Sequence, residues 1–133
     1  VMSIGAVKGV EIGDGFAAAN SFGSENNDVF YKKDGVTTKK SNHAGGILGG
    51  ISDGDTIVLR AAMKPTPSIA KPQDTVSSDG TEATISIPGR HDVTIVPRSA
   101  VVVESMVAIT VLDAMMKNTC AKLDTLKRCY TKL

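Results

Sequence analysis

Two stretches of this chain carry the residue types from which a site for an anionic ligand could be built. The first is SNHAGGILGGISDGDTIVLRAAMKPTPSI, residues 41–69, with glycines at 45, 46, 49 and 50, an apolar run, and Lys64 set before a proline. Pro65 holds Lys64 extended, and Thr66 and Ser68 place hydroxyls in the loop that follows. A cation, hydroxyls and bare backbone converging at one strand end suit an anion. The glycines by themselves leave three readings open. As a phosphate cradle they lack a following GK[ST], and their spacing is GGxxGG rather than GxGxxG. As structural elements they mark bulges or close packing. As bare backbone they admit a planar or anionic ligand. The second stretch is IPGRHDVTIVPR, residues 87–98. Arg90 can hold a phosphate or carboxylate with two parallel hydrogen bonds, and Asp92 can manage a proton. The plainer account is an Arg–Asp pair or a helix-capping loop, with His91 a surface residue. His43 beside Asn42 reads as a hydrogen-bonded structural histidine, and Lys8 and Lys71 as solvated.

Composition narrows the partners. Hydrophobic residues make up 41% of the 133 positions, with three Phe, two Tyr and no Trp, so a core must be built from Val, Ile, Leu, Ala and Met. The length is one domain's worth of chain. A net charge of +1 without a basic stripe argues against nucleic acid and against an anionic membrane surface. Cys120 and Cys129 fit neither a metal spacing nor a disulfide framework and read as reduced thiols of a cytoplasmic protein; no metal site is expected. The opening VMSIGAVKG has no signal-peptide pattern and starts as though inside a strand, so a fragment of a longer protein is expected.

The elements that must position these residues follow from turn and periodicity signals. Asp-Gly at 34–35, 53–54 and 79–80 predicts hairpins VFYKK-DG-VTTKK and GGILGGIS-DG-DTIVLRAAM and a turn into TEATISI. Ile57, Leu59, Ala61 and Met63 should share one face, as should Ala83, Ile85 and Ile87. Residues 65–80, with three of the five prolines, read as a loop. RSAVVVESMVAITVLDAMMK, 98–117, gives about five and a half helical turns, with Pro97 in the first turn. It is apolar nearly all round and so should be buried on more than one side, with Met106, Met115 and Met116 as core fillers. Glu104 and Asp113 make it a poor membrane span. A short helix is expected at 13–20 and an exposed basic one at 123–131.

Taken in order, AVKGVEIGDGF, SNHAGGILGGIS, KPTPSI and GRHD…VPR…VVESM resemble the chorismate synthase family over nearly the whole chain. The most specific part is Arg90-His91-Asp92 followed, after eleven intervening residues, by Glu104-Ser105-Met106. The resemblance implies an α+β unit, residues 1–133, of antiparallel hairpins packed on a long buried C-terminal helix, one half of an internally duplicated fold. It implies part of a lyase that converts 5-enolpyruvylshikimate 3-phosphate to chorismate and phosphate by 1,4-elimination. Reduced FMN is needed though no net oxidation occurs, and NADPH is one route to reducing it. Flavin contacts carry over to Gly5, Ala6, Gly49, Lys64, Pro65, Thr66, Pro67, Ser68 and Arg90. Arg90 and Asp92 carry over as substrate contacts, and Asp92 as the acid that assists proton movement. The glycine loop and the Arg90 loop are then expected to meet at one pocket wall. Val93 and Thr94 depart from the Pro and small residue common after RHD, and Gly5 stands where some relatives have Asn, which leaves a backbone contact there. The family's N-terminal two thirds, with its two catalytic histidines, has no counterpart here, so the chain alone is expected to be inactive. The intact enzyme is expected to be a cytoplasmic homotetramer. The alternative is a non-catalytic fragment that binds flavin or phosphate or self-associates.

Overall fold

Asp34–Gly35 makes the turn its sequence demands. Both residues have positive φ, +52° and +81°, the backbone that closes a two-residue hairpin with the right strand twist. It joins β2 (Phe30–Lys33) to β3 (Val36–Lys39), antiparallel, with Phe30 opposite Lys39 and Lys33 opposite Val36. The computed structural model describes residues 1–131, in two compact units that divide after Ala62. The architecture is α+β, with helices and small antiparallel strand pairs.

The first unit, Met2–Ala62, begins with β1 (Val7–Ile12), a 3-10 helix at Gly15–Asn20 within the span where a short helix was expected, and α1 (Gly23–Asn26). Val7, 5% exposed, is the buried hydrophobic residue among those described. After β3 come β4 (Ile47–Leu48) and β5 (Ile51–Ser52), paired antiparallel, then β6 (Leu59–Met63), which pairs with β1. The Gly13 N–H donates to the Val58 carbonyl at 3.0 Å, and Gly9 lies against Ala62, so the two run antiparallel. Residues 57, 59, 61 and 63 are the more sheltered positions along this run and 58, 60, 62 and 64 the exposed ones, the alternation expected of a half-buried strand. One turn corrects the sequence reading. The hairpin in this region closes at Gly49–Gly50, φ +60° and +79°, and not at Asp53–Gly54. Two consecutive glycines adopt the left-handed pair at lower cost than Asp-Gly, and the Asp53 carboxylate is engaged elsewhere.

In the second unit, β7 (Gln73–Val76) and β8 (Glu82–Ile85) pair antiparallel, Gln73 opposite Ile85 and Val76 opposite Glu82. The segment 65–80 is therefore not all loop. Residues 73–76 carry no strand signal of their own and become a strand by pairing with Glu82–Ile85. The Asp79–Gly80 turn is present: Gly80 has φ +85°, and the Asp79 carboxylate accepts from the N–H and hydroxyl of Thr81 at 3.0 and 2.7 Å. Ala83 and Ile87 are half-sheltered, but Ile85 is 47% exposed. α2 (Val96–Cys120) contains the expected helix, with Pro97 in its first turn, and α3 (Leu123–Tyr130) follows, exposed. Burial of α2 is not found. None of its 25 residues is buried, and Met106, Met115 and Met116 are 37%, 61% and 63% exposed. Only Thr119 and a stripe at Ser99, Val103, Val107 and Val111, one position per turn, are half-sheltered. Covering the remaining faces would take apolar surface that the described residues do not lay on it. By length and composition α2 could also cross a membrane, its most apolar stretch having a mean hydropathy of 1.7.

Candidate functional site

In the first unit the loop Ser41–Gly46 is held by carboxylates from two distant segments. Asp28 Oδ1 accepts from the Ser41 hydroxyl at 2.7 Å and the His43 N–H at 2.8 Å, while Oδ2 accepts from the Ala44 N–H at 3.0 Å. On the other side Asp14 Oδ2 lies 2.6 Å from His43 Nδ1 and accepts from Asn26 Nδ2 at 3.2 Å, and the Asp14 N–H donates to the His43 carbonyl at 2.9 Å. Asn42 completes the frame: its side-chain oxygen accepts from the Gly46 N–H at 2.7 Å and its amide donates to the Thr56 carbonyl at 2.9 Å. His43 thus has the structural role its sequence context suggested. The close approach explains Gly45, φ +65°, where a Cβ would lie 2.3 Å from the Gly13 nitrogen. Backbone packed on backbone excludes any side chain there. Gly49 and Gly50 differ, since an added Cβ would meet nothing within 4 Å; turn geometry requires them, and the space over them is open.

The Asp28 side chain is 4% exposed. Loss of water raises its pKa, but hydrogen bonds from the Ala44 N–H, the Ser41 hydroxyl and the His43 N–H, with the charge of Lys39, outweigh that and bring it to about 2. Lys39, its side chain 3% exposed, stands 2.6 Å from Asp53, 2.9 Å from Asp55 and 3.9 Å from Asp28. Hydrogen bonds to Asp53 and Asp55 hold its pKa above the usual lysine value, and the Lys39 contact depresses that of Asp53. Asp14, Asp28, Lys39 and Asp53 were not among the site residues expected from the sequence. They come from four separate segments, and no local pattern announces their meeting.

Of the residues predicted to form the site, Gly5, Ala6 and Gly49 belong to the first unit, and Lys64, Pro65, Thr66, Pro67, Ser68, Arg90 and Asp92 to the second. Ala6 enters β1 with φ +69°, left-handed and strained for a residue with a Cβ. In the second unit the Lys64–Ser68 segment leads directly to Ile69, whose carbonyl accepts from the Ile87 N–H at 3.1 Å, and the Ser86 hydroxyl donates to the Ala70 carbonyl at 2.7 Å. Residues three positions before Arg90 are thereby fixed to the end of the Lys64–Ser68 segment. Thr66 Oγ1 is buried and has no hydrogen-bond partner, an arrangement that costs stability unless a ligand satisfies it. Among the described residues Lys64 and Arg90 make no ion pair. Asp92 does not pair with Arg90, the pairing the plainer account offered; its partner is Arg98, in the first turns of α2. His91 is exposed, with Nε2 3.1 Å from the Ile87 carbonyl.

The family model described as "Chorismate synthase" matches residues 1–116. A chorismate synthase of Lachnospira eligens is 58% identical over 132 residues, 99% of this chain and 36% of its own length. One from Archaeoglobus fulgidus is 61% identical over 117 residues, 87% of this chain and 32% of its own. A solved structure titled "Crystal Structure of Chorismate Synthase" aligns at 52% identity and a TM-score of 0.46, over 48% of this chain and 20% of that one. The chain spans about a third of the length of the curated relatives it matches. With the match extending over residues 1–116 and identities at this level, the chain belongs to the chorismate synthase family.

Proposed function

We propose that this chain forms part of a lyase of aromatic biosynthesis that converts 5-enolpyruvylshikimate 3-phosphate to chorismate and phosphate by 1,4-elimination, with reduced FMN bound. The observation that carries the reading is the unspent hydrogen-bonding capacity of the second unit: among the described residues, the buried Thr66 hydroxyl has no partner and the exposed Lys64 and Arg90 make no ion pair. Donors and cations in that state fit a phosphate or carboxylate ligand. Lys64 to Ser68 would hold the polar end of the flavin, and Arg90 would reach both flavin and substrate. Gly5, Ala6 and Gly49 would present backbone, Gly49 having open space where a side chain would stand. When bound, reduced FMN supplies a reversible electron, so the elimination needs no net oxidant. Asp92 would hold a proton near the reacting atoms. The same reading carries a cytoplasmic homotetramer, an internally duplicated fold in the complete enzyme, and NADPH as one source of the reducing electrons.

Titration of FMN against the chain, followed by flavin fluorescence, tests the binding. A charge-assisted hydrogen bond contributes roughly 1.5–3 kcal/mol, so Lys64→Met or Arg90→Gln is expected to weaken binding about 10- to 100-fold. An unaltered signal up to millimolar flavin refutes it. The two acid–base histidines of the family's N-terminal portion have no counterpart here, so the chain alone is expected to show no turnover with photoreduced FMN and substrate. Turnover by this chain would overturn that part of the reading.

The exposed faces of α2 favour a second reading for the chain by itself, self-association through Val101, Ile109, Leu112 and Met116, which are 60%, 62%, 56% and 63% exposed. Light scattering that shows a clean monomer would exclude it.

A further inference from the structure

We propose that Arg98 is a positioning residue for Asp92, its guanidinium aiming the carboxylate from the first turns of α2. The inference rests on the role given to Asp92 above. The contact runs from Arg98 Nη2 to Asp92 Oδ2. The backbone on the Arg98 side is fixed by the start of the helix: the N–H groups of Arg98 and Ser99 both donate to the Ile95 carbonyl, at 3.1 and 2.9 Å, and the Ser99 hydroxyl donates to the same oxygen at 2.9 Å. Thr94 Oγ1 accepts from the Val96 N–H at 3.3 Å and ties down the residues between. Arg98 thus projects from a rigid turn, whereas Asp92 sits in a loop, and the pair fixes the loop to the helix.

Four charged or titratable groups lie near Asp92 along the chain. From α2 comes Arg98, with Glu104 six residues further along; from its own loop come Arg90 and His91. His91 Nε2 is turned to the Ile87 carbonyl, and Arg90 is not paired with Asp92. Arg98 is therefore the group that directs one oxygen of the carboxylate. Both side chains are more than half exposed, 69% and 54%, so the pair contributes little to stability. A role in orientation can then be separated from a role in folding.

The Asp92 side-chain rotamer is followed by NMR three-bond couplings in the chain and in Arg98→Gln and Arg98→Lys. The expected result is one dominant rotamer in the wild type, averaging among rotamers in Arg98→Gln and at least half recovery in Arg98→Lys, with an unchanged far-UV spectrum. Identical couplings in the wild type and Arg98→Gln overturn the proposal. In the full-length enzyme of which the chain is proposed to be part, Arg98→Gln should lower kcat roughly 3- to 10-fold with KM within about twofold, and Arg98→Lys should recover at least half of the loss. A raised KM with unchanged kcat would make Arg98 a substrate-binding residue and would also overturn the proposal. Asp92→Asn separates the two layers. If it abolishes turnover while Arg98→Gln leaves kcat unchanged, the positioning role fails and the reading of Asp92 stands. If Asp92→Asn retains turnover, both fail.

Discussion

Asp28→Asn should unfasten the glycine loop of the first unit, and its cost can be worked from the contacts. In the wild type one carboxylate oxygen takes the Ser41 hydroxyl and the His43 N–H, and the other takes the Ala44 N–H. The asparagine carbonyl can replace the first oxygen and keep two of the three bonds. Its NH2 then faces the Ala44 N–H, donor against donor, and flipping the amide is worse, since two donors are then opposed. A hydrogen bond to a charged group contributes about 1.5–3 kcal/mol, and a buried N–H left unpaired costs about 1–3 kcal/mol; these overlap in one group, so a net loss of about 2–3 kcal/mol is expected. Urea unfolding of the two proteins by far-UV circular dichroism measures it, and hydrogen exchange at the Ala44 amide locates it. A change below about 0.5 kcal/mol, or undiminished Ala44 protection, refutes the reasoning. The pH dependence adds a signature. The folded pKa of Asp28, about 2, lies below its ordinary 3.8, so its contribution is complete above the ordinary value and is lost as pH falls through the folded one. Between about pH 4 and pH 2 the wild type should therefore lose stability faster than Asp28→Asn.

Gly45→Ala should destabilise the chain by about 3 kcal/mol or more, since its methyl would lie on the Gly13 backbone and its φ is left-handed; a melting temperature within two degrees of wild type would contradict this. Ala6→Gly should stabilise by about 0.5–1 kcal/mol by releasing the strain at φ +69°; denaturant titration giving a loss would mean that the Ala6 methyl makes contacts outweighing it. Thr66→Val should leave stability equal or higher, because the hydroxyl has no partner, and should weaken FMN binding about tenfold; an unchanged Kd would remove Thr66 from the site.

The local parts of this protein were legible because their causes are local. Asp34–Gly35 names its own turn, Pro97 names the start of α2, and alternation along 57–63 names a half-buried strand. Lys64-Pro65-Thr66-Pro67-Ser68 stood out for the same reason, since a cation and two hydroxyls lie within five consecutive residues. Where two local signals competed the reading went wrong: Asp53–Gly54 and Gly49–Gly50 both encode a turn, and the glycine pair prevails because Asp53 is taken by Lys39. The strand at 73–76 exists only through its partner at 82–85.

The sequence by itself therefore determined the family and the turns at Asp34–Gly35 and Asp79–Gly80, because each depends on neighbours along the chain. Only the tertiary structure decided that Asp28 and Asp14 hold the glycine loop, that Lys39 is sheltered among three carboxylates, and that Asp92 answers to Arg98. Those are charges brought from separated segments to within about 4 Å, where Coulomb energy and hydrogen bonding become large. At the distances of the extended chain the same charges are screened from one another by water and salt.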